Sequence, residues 1–136
     1  MSKNWGRLAL IVCLAVQISG CAGAALVAGG AVGAGGMVYV KGKLQEQLNS
    51  PLAKVHEATL AALKDFELPV REDKKDMFVA KVRSRLANGD PIWIKLSSLS
   101  EESTEITIRV GILGNETRSR RLLGKIRGHL IDVGGL

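Results

Sequence analysis

Four stretches of this chain place apolar residues at alternate positions, and nearly all of those positions are even-numbered. They are Val38, Val40, Leu44 and Leu48; Phe78, Ala80, Val82 and Leu86; Ile92, Ile94 and Leu96; and Ile106, Ile108, Val110 and Ile112. Successive side chains of a strand point to opposite faces, so each stretch reads as a strand with one buried side. The intervening positions carry Tyr39, Lys41, Lys43, Gln45 and Gln47, then Met77, Val79, Lys81, Arg83 and Arg85, then Trp93, Lys95, Thr107 and Arg109. A shared parity restricts pairing, because a one-residue slip turns a whole apolar set toward water. Asn88-Gly89 would ordinarily mark a two-residue hairpin, but that register sets Val82 opposite Lys95. The pattern predicts a three- or five-residue loop instead, with Gly89 at positive φ.

Ser50-Pro51 supplies an N-cap and a first-turn proline. The helix that follows, to about Phe66, puts Leu52, Val55, Thr59, Ala62, Leu63 and Phe66 on one side. Pro69 ends it, and Leu68 to Val70 suggests a brief strand. Gly114-Asn115 opens a last helix with the stripe Leu122, Leu123, Ile126 and Leu130, bordered by Arg118, Arg121 and Lys125 on one flank and Arg120 and Arg127 on the other. Aromatic residues make up only 4% of the chain, so the core must rely on Leu, Ile and Val. The order predicts an α+β domain over 37–133: a two-layer arrangement with an antiparallel sheet of four to five strands and two helices on one face.

The first 36 residues are different. Lys3 and Arg7 precede an apolar run from Leu8 to Val16 that has signal-peptide length and is too short to cross a bilayer. Ile18-Ser19-Gly20-Cys21 then resembles the lipobox read by lipoprotein signal peptidase, with Ile18 where Leu is usual. The resemblance implies a signal peptide over 1–20, acyl chains on Cys21, and a membrane hold firmer than one chain provides. Cys13 would leave with the leader and Cys21 would be acylated, so no thiol remains for a disulfide or a metal. Ala22 follows the cysteine where Asp would signal inner-membrane retention, which points to the outer membrane, facing the periplasm. Residues 22–36 read AGAALVAGGAVGAGG, with small residues spaced at Ala25, Gly29 and Gly33. They form either a membrane-associated helix or a flexible tether.

The motifs YVKGKL (39–44), SPLAKVHEATLAALKDF (50–66) and ITIRVGILGNETRSRRLL (106–123), placed after that leader, resemble a family of small bacterial envelope lipoproteins with a domain of unknown function. The resemblance implies an envelope lipoprotein and brings no activity. The element order is also similar to the helix-grip domains of outer-membrane assembly lipoproteins, a likeness of fold alone.

No catalytic constellation is present. His56 and His129 lack a second His or a Cys at ligand spacing. Ser97, Ser98 and Ser100 lie outside any Gly-x-Ser-x-Gly elbow, and Glu101-Glu102 are turn neighbours. The glycine runs match no phosphate loop. The expectation is a non-enzymatic protein without cofactor or metal. Its distinctive surface is the odd-numbered sheet face, with Lys41, Lys43, Lys81, Arg83, Arg85, Lys95 and Arg109 around Tyr39, Val79 and Trp93. Of these, Lys81, Arg83, Arg85, Trp93, Lys95 and Arg109 form the candidate binding face. The formal charge is +6, falling to +4 without Lys3 and Arg7. Such a face suits anionic lipid headgroups, lipopolysaccharide phosphates or an acidic envelope protein; the alternative is an ordinary solvated sheet face. Export argues against nucleic acid. The chain reads first as an interaction or assembly module. The other reading is a binding protein for a lipid or anionic amphiphile, using this face or a groove that Ala62 and Ala80 leave between helices and sheet.

Overall fold

The computed structural model describes residues 36–134; the leader, Ile18 to Cys21 and nearly all of the Gly/Ala-rich segment lie outside them. The elements run β1 (Val38–Val40), β2 (Lys43–Leu48), α1 (Leu52–Asp65), β3 (Val70–Lys75), β4 (Val79–Arg85), β5 (Pro91–Ser100), β6 (Ser103–Val110) and α2 (Glu116–Gly134). The strands form one open antiparallel sheet in the order β1-β2-β6-β5-β4-β3. It has six strands rather than four to five.

Two features account for the extra strands. The stretch 37–48 is not one strand: Lys41 and Gly42 adopt φ of 50° and 78° and fold it into a hairpin. A two-residue turn pairs odd with even positions, so Tyr39 stands opposite Leu44 and Val40 opposite Lys43. Tyr39 therefore packs against the core, and Val38 and Val40 join the open face, the reverse of the parity expectation. The second feature is β3, which starts where only a brief strand around Leu68–Val70 was expected and runs through charged residues to Lys75.

Elsewhere the parity rule holds, and irregularities of the backbone enforce it. Leu86 N–H donates to the Asp90 carbonyl at 2.9 Å, closing a three-residue loop in which Gly89 has φ of 94°. Ala80 thereby meets Leu96 and Val82 meets Ile94. The turn at Glu101-Glu102 pairs Ser100 with Ser103, which alone would mix the two faces. A bulge between Ser98 and Ser100 restores Ser98 opposite Thr104. A bulge between Val70 and Glu72 does the opposite in β3: Asp73 comes opposite Val82 on the helix side, and Glu72 opposite Arg83 on the open side.

Both helices cover the even face. Val55, Ala62 and Leu63 of α1 and Leu122, Leu123 and Ile126 of α2 share one buried cluster with Leu44, Val82, Ile94, Leu96, Ile106 and Ile108. Ser50 is not the cap expected. Leu52 starts the helix after Pro51, which makes no side-chain capping bond, and the Ser50 carbonyl instead accepts from Thr104 Oγ1 at 2.8 Å. Asn115 does cap α2, its Oδ1 accepting from Arg118 N–H at 2.9 Å. Phe66, Phe78 and Ile112, expected on apolar faces, fall just past element ends and are exposed.

Asp65 at the end of α1 ties the helices together through Lys125 Nζ at 3.1 Å and His129 Nε2 at 2.8 Å. The Lys125 hydrogen bond, then that of His129, holds its carboxyl below the ordinary 3.8. A carboxylate with a depressed folded pKa stabilises the fold above its unfolded value and loses that contribution as pH falls through the folded one. Wild type is therefore expected to exceed Asp65→Asn in unfolding midpoint at weakly acidic pH above 3.8, and the margin should shrink as pH falls below 3.8 through the lower folded value. Acid titration of both proteins by circular dichroism checks this, and a margin unchanged in acid would refute it.

Candidate binding face

The open side of the sheet is built in rows, because residues directly opposite in antiparallel strands share a face. One row runs Glu72, Arg83, Trp93, Arg109, and Lys43 continues it on β2. The next runs Lys74, Lys81, Lys95, Thr107, Gln45. Around Trp93 these rows enclose a shallow depression of about 330 Å³, lined on the open side by Lys43, Lys81, Arg83, Trp93, Lys95, Thr107 and Arg109. Among the described residues both helices lie on the opposite face of the sheet.

The Arg109 guanidinium sits 5.6 Å from the Trp93 ring centroid, within cation–π range. It also donates to the Ile112 carbonyl, while its buried Nε has no partner among the described residues. The Arg83 guanidinium is 3.3 Å from Glu72, and Lys74 lies 2.7 Å from the same carboxylate. Lys74, with Arg83 and Lys81 adding to it, holds the Glu72 carboxyl below its ordinary range. Lys43, Lys81 and Lys95 have no carboxylate within 4.0 Å among the described residues.

Of the six residues read from sequence as a candidate face, Lys81, Arg83, Trp93, Lys95 and Arg109 converge on this depression. Arg85 stands at the far end of β4 and lines a neighbouring hollow with Arg71 and Pro91 instead. Lys41 is in the β1–β2 turn, and Tyr39 is on the helix side. Glu72 was missed: its strand lacks an apolar alternation, and only the bulge beside it turns its side chain to this face.

The remaining features read as structure. His56 is buried, with Nε2 2.7 Å from Asp73 Oδ1, and His129 pairs with Asp65. Among the described residues no group of His, Cys, Asp and Glu could hold a metal ion, and no helix is long and apolar enough to cross a membrane. Ala62 and Ala80 are wholly buried in the core. The hollow between helices and sheet, lined by Phe66, Leu68, Leu86, Ile92, Val110, Arg118, Arg121 and Leu122, holds about 190 Å³. Ligand pockets typically span about 300–1,000 Å³.

Fold and surface together define a two-layer α+β domain with one dry and one basic sheet face. The chain belongs to a family of proteins of unknown function (DUF3568), whose model matches residues 7–129. No curated protein matches the chain.

Proposed function

We propose that this protein is a lipid-anchored bacterial envelope lipoprotein. Its domain is a non-enzymatic interaction module that holds an anionic partner on the open sheet face. The observation that carries the reading is the convergence of Lys43, Lys81, Arg83, Lys95 and Arg109 around Trp93 on one depression. The sheet fixes the positions from which these cations project, so together they present a positive patch complementary to negative charge on a partner. The anchor rests on Lys3, Arg7, the apolar run and Ile18-Ser19-Gly20-Cys21. Ala22, standing where Asp would signal inner-membrane retention, supports a position at the outer membrane, facing the periplasm.

The second reading is a binding protein for a lipid or anionic amphiphile. It is favoured on the open face, where an indole floor meets a cationic rim, and disfavoured in the hollow beneath the helices, which is small.

Two measurements test the proposal. Mass analysis of the N-terminal peptide of envelope-extracted protein should find acylated Cys21, and Cys21→Ser should release the chain from membranes; an unmodified cysteine refutes the anchor. A photo-crosslinking residue at position 107 should then capture a partner in wild type and lose it with Lys81→Glu/Lys95→Glu. Capture indifferent to that charge reversal refutes the docking face.

A further inference from the structure

We propose that the depression over Trp93 is a phosphate site for the headgroup of an anionic phospholipid, with the ammonium groups of Lys43, Lys81 and Lys95 as its ligands. The proposal rests on the reading of the open sheet face as the binding surface and names what that surface holds.

The first support is a row of like charges. Lys74, Lys81 and Lys95 stand directly opposite one another on three adjacent strands. Side chains so placed have Cβ atoms roughly 5 Å apart, and like charges there are destabilising. Glu72 relieves Lys74 at 2.7 Å. Lys81 feels Glu72 only at longer range, Lys95 has no carboxylate within 4.0 Å among the described residues, and an anion between them supplies closer relief.

The second support is which cations remain available. Carboxylates are recognised best by the planar fork of arginine, phosphates also by the point charge of lysine. Both forks in the depression are engaged: Arg83 by Glu72, and Arg109 by the Ile112 carbonyl and the Trp93 ring. What remains is three ammonium groups from β2, β4 and β5, with the Thr107 hydroxyl in the same row as Lys81 and Lys95. Ammonium groups on rotatable stems, approaching from different strands, suit the tetrahedral oxygens of a phosphate better than the flat edge of an acidic side chain.

The third support concerns the source. Trp93 is half-buried beneath the cations, and indole favours the boundary between polar and apolar surroundings where headgroups lie. Each lysine near an anionic membrane strengthens binding by about fivefold.

The test uses the mature lipidated protein, from which Trp5 has left with residues 1–20 so that emission reports Trp93 alone, reconstituted into nanodiscs. Access of aqueous acrylamide, a neutral quencher, to Trp93 is compared in phosphatidylcholine alone, with added phosphatidylglycerol, and with added oleate as a carboxylate lipid. The expected result is reduced quenching with phosphatidylglycerol and not with oleate. Lys81→Gln/Lys95→Gln should weaken the response by about twenty-five-fold while raising the unfolding midpoint, because a repulsion has gone. Lys75→Gln, on the helix side opposite Ala80, should leave the response intact. Equal protection by oleate overturns the phosphate assignment. Protection by inorganic phosphate in phosphatidylcholine discs overturns the lipid source. Protection by a poly-glutamate peptide but not by phosphatidylglycerol overturns the inference and leaves the docking face standing. No response to any anion removes both.

Discussion

Replacing Arg127 with Ala is expected to lower the free energy of unfolding by about 3 kcal/mol, the lower end of the range for breaking a buried ion pair. Glu46 lies on the helix side of β2, is 4% exposed, and is ion-paired to Arg127 from α2. Its second oxygen, Oε2, is buried without a partner among the described residues. Without Arg127 the carboxylate must stay charged in a dry site or take up a proton, and both are costly. Part of the guanidinium reaches water, with the Arg127 side chain 41% exposed, which keeps the loss from being larger. Glu46→Gln added to the same variant should recover more than half of it, since an amide tolerates the site better than a lone carboxylate. Urea denaturation of the four proteins in a double-mutant cycle measures the coupling directly. A coupling near zero would refute a stabilising Glu46–Arg127 pair.

Gly114→Ala is the second large effect. Gly114 has φ of 85°, and a Cβ there would lie 2.3 Å from Gly42 Cα and 2.4 Å from the Gly42 carbonyl oxygen. Gly42, with φ of 78°, is equally enclosed: its Cβ would meet the Leu113 carbonyl oxygen at 2.6 Å. Backbone against backbone cannot yield as a flexible side chain does. The β1–β2 turn and the β6–α2 connection would have to separate, and α2 would start from a displaced position. A left-handed conformation adds about 1–2 kcal/mol for a residue with a Cβ, and overpacking typically adds about 1–3 kcal/mol. The expected destabilisation is therefore about 3 kcal/mol, read as a fall in thermal midpoint. Gly124→Ala is the control. It lies in α2 with nothing within 4 Å of its Cβ position, and should stabilise the protein by about 0.5–1 kcal/mol. Equal behaviour of the two variants would contradict the close approach of Gly42 and Gly114.

The strands from Val79 to Val110 were legible because each buries one face, and burial imposes alternation that no other element mimics. Their register was legible for the same reason: Val82 had to meet Ile94, which required the three-residue loop that forms at Ala87–Gly89. β3 was not legible beyond its first residue. VREDKK is an edge strand with one neighbour and little buried surface, and charged residues are how such edges are protected from further pairing. Its place depends on β4 and on Asp73 reaching His56 across the sheet edge. Tyr39 was misassigned because a turn at Lys41-Gly42 resembles uninterrupted alternation when φ is unknown. Glu46 was passed over because its partner lies 81 positions away, on α2.

Apolar periodicity within this chain determined the α+β class, the parity of the central strands and the side on which Lys81, Arg83, Trp93, Lys95 and Arg109 stand, since hydrophobic burial acts on local patterns that a sequence displays. Tertiary structure alone decided the sixth strand, the opposition of Lys74, Lys81 and Lys95, the engagement of both arginine forks, and the Glu46–Arg127 pair. Those depend on bulges, on turn dihedrals and on contacts between distant segments, and such geometry exists only once the strands have been laid beside one another.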